Sequence, residues 1–269
     1  MTDALINIFR AATRTLLVFV LTIPGVAAPA TREAPNIAAI PANQLVVSGN
    51  ACGPTALLNA FRFGNSDWQR ASLSITGTTD KERIYTLIRE CGMRPSSHLK
   101  GRPRWSRKGV NIADLCDMAN ETARGQMLPL ISQEVLFANK GETQEKLLQR
   151  VHHRLDVSLS KGLPPILSLR RYVLRGSEWI VLDAHFVTLV RLPQKLDKGA
   201  RMFPITYADP WGGKLSSGNI AIPERAILST SANTAPCLEA VFPQSSVGKK
   251  LVRPGELTML TLSAALGRW

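Results

Sequence analysis

Acidic residues are scarce in this chain: 20 Asp and Glu stand against 33 Lys and Arg over 269 residues, a formal charge of +13. That imbalance says nothing about a reaction, but it favours contact with anionic surfaces such as membrane lipid, cell-wall polymer or nucleic acid. Long apolar runs are missing after residue 30, so no later segment approaches the length needed to span a bilayer. There is no internal repeat of the kind that builds solenoids or propellers. Histidine and cysteine are sparse, with four of each. What remains is ordinary globular material, 45% hydrophobic and 20% charged, enough for one large domain or two small ones with a sizeable core.

Residues 1–30 differ from the rest. Arg10 and Arg14 precede an apolar stretch from Leu16 to Val26, which ends in Ala27-Ala28-Pro29-Ala30. A basic start, a short apolar middle and small residues at the end predict a signal peptide cleaved after Ala30 and a periplasmic or extracellular destination; an uncleaved anchor is the weaker alternative. The Pro- and Ala-rich stretch that follows predicts a flexible connector over 31–43, leaving 44–269 as the folded domain.

The chain is organised around Asn50-Ala51-Cys52-Gly53-Pro54-Thr55-Ala56-Leu57-Leu58-Asn59-Ala60-Phe61. Pro suits a first helical turn, and the apolar run after it predicts a helix over about 54–63, ending at Gly64. Cys52 then sits at a helix N-terminus, where free backbone N–H groups and the positive end of the dipole favour a thiolate over a thiol. Residues 65–78 read as a loop anchored by Trp68. Thr79-Asp80-Lys81-Glu82 is a capping box for a second helix, and Asn111 caps a third. A fourth helix spans 142–159. It carries His152 and His153, which face different sides and cannot turn to one metal, so both are expected at the surface or its edge. No metal or cofactor is expected.

Between the second and third helices lies a basic loop: Arg94, Lys100, Arg102, Arg104, Arg107 and Lys108, with His98 and Trp105 among them. It reads first as a solvated surface and second as a contact for an anionic partner. No base-reading motif accompanies it, so no specific nucleic-acid partner is expected.

From Pro164 onward the apolar spacing changes to that of strands: 165–169, 179–182, 185–190 and 204–208, with 219–222 and 238–242 as further candidates and 256–266 as a strand or docking helix. Helices first and an antiparallel sheet second predict an α+β fold. His185 opens one strand, and Asp209 closes the next in Asp209-Pro210-Trp211-Gly212-Gly213. If those two strands pair as a hairpin, His185 and Asp209 become neighbours. A cysteine nucleophile needs a base within reach and a group to orient that base, so Cys52, His185 and Asp209 form the candidate catalytic set.

Cys52-Gly53-Pro54-Thr55 opening a helix, Gly162-Leu163-Pro164-Pro165-Ile166-Leu167 leading into a strand, then His185-Phe186-Val187 and Asp209-Pro210 resemble the papain-like cysteine peptidase superfamily, in its branch related to bacteriocin leader-processing (double-glycine) peptidases. The resemblance runs from Gln44 to about Leu215, loosely between Cys52 and Lys161. It implies a papain-like α+β fold, its N-terminal helical part carrying the cysteine and its C-terminal antiparallel sheet carrying the histidine and aspartate. It also implies a secreted peptidase or amidase that acts on a peptide or amide bond through a thioester, with Cys52 as nucleophile, His185 as base and acid, and Asp209 as orienter. Members usually carry an oxyanion glutamine about six residues before the cysteine, where this chain has Val46. Gln44 and Asn50 are the candidates here, Gln44 preferred. A phytochelatin synthase-like transferase is the second resemblance, and an inactive papain-like basic protein that binds an anionic surface is the alternative outside enzymes. If Cys52 stays a thiol, at most one disulfide can join two of Cys91, Cys116 and Cys237.

Overall fold

The computed structural model describes residues 30–228 and 235–269. Apart from Ala30, the expected signal peptide lies outside the described residues. Among those described, no helix is long and apolar enough to cross a membrane. In chain order the elements are β1 (Thr31–Glu33), α1 (Cys52–Arg62), α2 (Ser66–Ser74), α3 (Asp80–Leu87), β2 (Trp105–Ser106), β3 (Gly109–Val110), α4 (Ile112–Gly125), β4 (Ser132–Val135) and α5 (Gln144–Ser160). They continue through β5 (Ile166–Arg175), β6 (Glu178–Pro193), β7 (Met202–Asp209), β8 (Lys214–Ala221), β9 (Leu238–Val241) and β10 (Thr258–Gly267).

Side chains placed at the helix ends explain where the helices begin. Thr79 and Glu82 form the reciprocal capping box of α3, and Asn111 and Thr143 accept the Asp114 and Lys146 N–H groups at the starts of α4 and α5. Asn65 does the same for α2, with Oδ1 accepting from the N–H groups of Asp67 and Trp68. Residues 66–74, expected as loop, are therefore helical. Trp68 is buried there, stacked on Phe61 with ring centroids 5.6 Å apart.

The sheet closes on itself. Strands run in the order β6-β5-β10-β9-β8-β7, and β7 pairs back onto β6, giving a six-stranded antiparallel barrel. Closure leaves no free edge among these strands. Two strands from the N-terminal half join it: β4 pairs with β10, and β1 hydrogen-bonds the far end of β6, with Thr31 opposite Pro193 and Glu33 opposite Arg191. This corrects the expected papain-like α+β arrangement, in which a helical half and a sheet half are separate. The sixteen residues of β6 can serve β5, β7 and β1 at once, so the sheet wraps into a barrel and takes β1 onto the far end of β6.

Residues 31–43 are likewise built into the fold instead of forming a free connector. Beyond the β1 pairing, Ala34 N–H donates to Val190 O at 2.7 Å, Asn36 N–H to Phe63 O at 3.0 Å, and the Arg32 guanidinium pairs with Asp156 on α5. Ala34 and Ala42 are buried.

Alternation along the barrel strands divides the core in two. Leu167, Leu169, Val187, Leu189, Phe203, Ile205 and Leu262 share one cluster with the apolar face of α5. Ile166 and Phe186, the sequence neighbours of Leu167 and Val187, share the other with Leu266, α1, α4 and Trp68. Cys52 belongs to that second cluster, so α1 is clamped between the barrel wall and the helical layer. Thr188 Oγ1 donates to Ala56 O at 2.8 Å, fixing α1 against β6 close to His185.

Candidate active site

Cys52 is the first residue of α1, and its surroundings explain the residues beside it. Gly53 lies against the β2–β3 hairpin, where an added Cβ would collide with Val110 Cγ1. Only glycine lets the hairpin approach the start of the helix this closely. The same hairpin holds the approach to Cys52, because Asn50 N–H donates to Arg107 O at 3.0 Å and Trp105 Nε1 donates to Asn50 O at 2.9 Å. Part of the basic loop thus has a structural task.

His185 and Asp209 meet as the hairpin expectation requires. β6 pairs with β7 through Thr188 opposite Ala208, which brings the two residues to the same end of the strand pair. Asp209 Oδ1 accepts from His185 Nε2 at 2.8 Å. A carboxylate can only accept here, so Nε2 carries the hydrogen and Nδ1 is the nitrogen left for Cys52, whose side chain interacts with the ring. All three side chains are buried. Burial alone would discharge the imidazole, but the bonds and charges of Asp209 and Cys52 outweigh it and raise His185 to about 10.

The turn after β7 is tied down as firmly. Trp211 N–H donates to the same Asp209 Oδ1 at 2.8 Å, and Pro210 O accepts Gln44 N–H at 2.9 Å. Gly213, at φ +60°, packs against Asn43 and Pro41, where a Cβ would come within 2.9 Å of the Pro41 carbonyl oxygen. Gln44 is therefore fastened to the residue that follows Asp209. Its side chain is buried with no partner for Oε1, and it lines the same cleft as His185. Asn50 also lines that cleft, but it is half-exposed, with its main chain committed to the hairpin. The cleft has a volume of ≈ 500 Å³, and Arg107, Asp183, Trp211 and Lys250 also line it.

The other cysteines are placed differently. All four described cysteines are free, so no bridge forms among Cys91, Cys116 and Cys237. Burial pushes the Cys116 thiol up to about 11 and the Cys237 thiol up to about 12, and it raises Cys91 as well. His152 differs from its expected surface position: it is buried, edge-on to Phe203, with Nε2 2.8 Å from Pro193 O. His153 is exposed. His98, Asp114 and Asp117 lie close enough to share an ion. Protein groups already engage them, however: Ser96 Oγ and Asn111 Nδ2 donate to Asp114, and His98 pairs with Asp117 at 3.2 Å.

In comparisons with protein-family models, curated proteins and solved structures, none matches the chain. The resemblance to a peptidase family therefore rests on short motifs, and the functional argument rests on the site itself.

Sequence reasoning missed Trp211, Lys250 and Arg107 as cleft residues. Nothing local marks the first two. Arg107 was visible only as one cation among several, and its place at the turn of a two-stranded hairpin beside Cys52 depends on a fold that the spacing does not encode.

Proposed function

We infer that the protein is a cysteine hydrolase acting on peptide or amide bonds. The observation that carries this reading is the buried His185 ring, hydrogen-bonded to Asp209, held charged by Asp209 and by Cys52 at a helix N-terminus, and opening onto a cleft. In the proposed reaction the proton of the Cys52–His185 pair starts on His185, and the Cys52 sulfur attacks the substrate carbonyl carbon. The oxygen takes up the electron pair and is held by the Cys52 backbone N–H and the Gln44 side-chain amide. The tetrahedral adduct collapses, the C–N bond breaks, and His185 returns the proton to the leaving amine. A thioester remains. Water, deprotonated by His185, then attacks it; the C–S bond breaks, the acid leaves, and Cys52 is restored beside the protonated ring.

Asp209 fixes the ring through Nε2 and favours its charged form, the form needed at the moment the amine leaves. The triad requires no particular fold, because roles of this kind recur on unrelated frameworks; here the framework is a barrel with a helix against its wall. Export to a periplasm or beyond remains the expectation from residues 1–30. The test is cleavage of a peptide library by the wild type and by Cys52→Ala. Products that depend on Cys52 support the reading, and products formed equally by both proteins overturn it.

A further inference from the structure

We propose that the cleft selects acidic substrates: peptides or amides that carry a carboxylate close to the scissile bond. This rests on the acyl-transfer reading above and adds a substrate class to it. Two cations, Arg107 at the tip of the β2–β3 hairpin and Lys250 on a single helical turn at Lys249–Leu251, line the cleft together with His185 and Gln44. Elsewhere guanidinium groups such as those of Arg62, Arg104 and Arg150 pair with Asp or Glu, whereas among the described residues no lysine does, so it is their place in the cleft that sets Arg107 and Lys250 apart. Arg107 and Lys250 have no such partner among the described residues.

The cleft's own carboxylate does not supply one. Asp183 Oδ1 accepts Ala184 N–H and Oδ2 accepts Gly248 N–H, each at 2.8 Å, and its charge faces Arg171. Asp183 is thereby spent on holding the 183–184 and 247–248 segments together, while the two cations stay open to the cleft. Trp211, 47% exposed and fixed through its N–H to Asp209, gives an apolar platform in the same place. An apolar face beside two unpaired cations suits a chain with an anionic group near the carbonyl under attack.

The test needs no natural substrate. Iodoacetate and iodoacetamide alkylate thiolates alike, forming a sulfur–carbon bond and releasing iodide, but only the first is an anion. Rates at Cys52 are measured by peptide mass analysis of the intact protein, and each is divided by the rate of the same reagent with free cysteine. The normalised iodoacetate-to-iodoacetamide ratio is expected to fall at least ~3-fold in the double variant Arg107→Gln/Lys250→Gln, and to fall in the wild type as salt is raised. The charge-conserving double variant Arg107→Lys/Lys250→Arg should keep the ratio. Since the readout is a ratio, a general loss of thiol reactivity cancels. An unchanged ratio in the Gln variant overturns the proposal and leaves the acyl-transfer reading standing. Cys52 reacting with iodoacetamide no faster than Cys116 overturns that reading and the present one with it.

Discussion

Asp209 holds His185 through one carboxylate oxygen: Oδ1 accepts His185 Nε2 at 2.8 Å and the Trp211 N–H at the same distance. The two side chains come from adjacent strands of a closed barrel, so the pair is as rigid as the sheet that carries it. Removing the charge while keeping the shape isolates what the pair contributes.

In Asp209→Asn, the His185 ring should titrate well below about 10, because the charge-assisted bond that outweighed its burial is gone. With four histidines in the chain, NMR titration of the ring protons, assigned with His185→Gln, checks the shift. An unmoved His185 midpoint would contradict the assignment of Asp209 as the group that keeps the ring charged.

The same shift predicts a pH dependence of stability. His185 has its folded value raised from 6.5 to about 10, so its charged form contributes stability that is fully present below about 6.5 and lost as pH rises through about 10. Urea denaturation of the wild type against His185→Gln should show a gap near pH 6 that narrows by pH 10.5. A gap of constant size would mean that the ring is not charged in the fold.

Gly53→Ala should destabilise the protein by about 1–3 kcal/mol, since the new methyl group overpacks the contact with Val110. Adding Val110→Ala should recover much of the loss. Equal destabilisation in the single and double variants would show that the cost comes from elsewhere in the helix.

Within the basic loop, charge and stability should separate. Arg104 is mostly buried and meets Glu121 at 2.8 Å, so Arg104→Ala leaves Glu121 only the more exposed Arg94, 3.3 Å away, and should cost about 1–3 kcal/mol. Lys100 is exposed with no partner among the described residues, and Lys100→Ala should change stability by less than about 0.5 kcal/mol. Thermal or urea melts of the two variants check this, and similar losses would contradict the assigned network.

Local signals in the chain were legible where local physics decides. The Thr79–Glu82 box, the Asn111 cap and the apolar face ending at Gly64 marked real helix ends. The adjacency of His185 and Asp209 was also readable, because a hairpin joins strands close in sequence. Barrel closure was not. β10 slots between β5 and β9, and β1 and β4 come from the other half of the chain; strand alternation names a buried face but not the partner strand. Residues 31–43 misled because their Pro and Ala content suits a linker, whereas burial of Ala34 and Ala42 and the Arg32–Asp156 pair depend on surfaces supplied far along the chain. His152 was misplaced for a similar reason, since only the packing of α5 against Phe203 decides which of two adjacent histidines turns inward.

The central claim is that Cys52 and His185 act as a unit. Its most direct measurement is the alkylation rate of each of the four cysteines by iodoacetamide at pH 7, in the wild type and in His185→Ala. Burial keeps Cys91, Cys116 and Cys237 protonated, so Cys52 should react at least ~10-fold faster than any of them and should lose that advantage when His185 is removed. Uniform slow labelling of all four, or a fast Cys52 indifferent to His185, would contradict it.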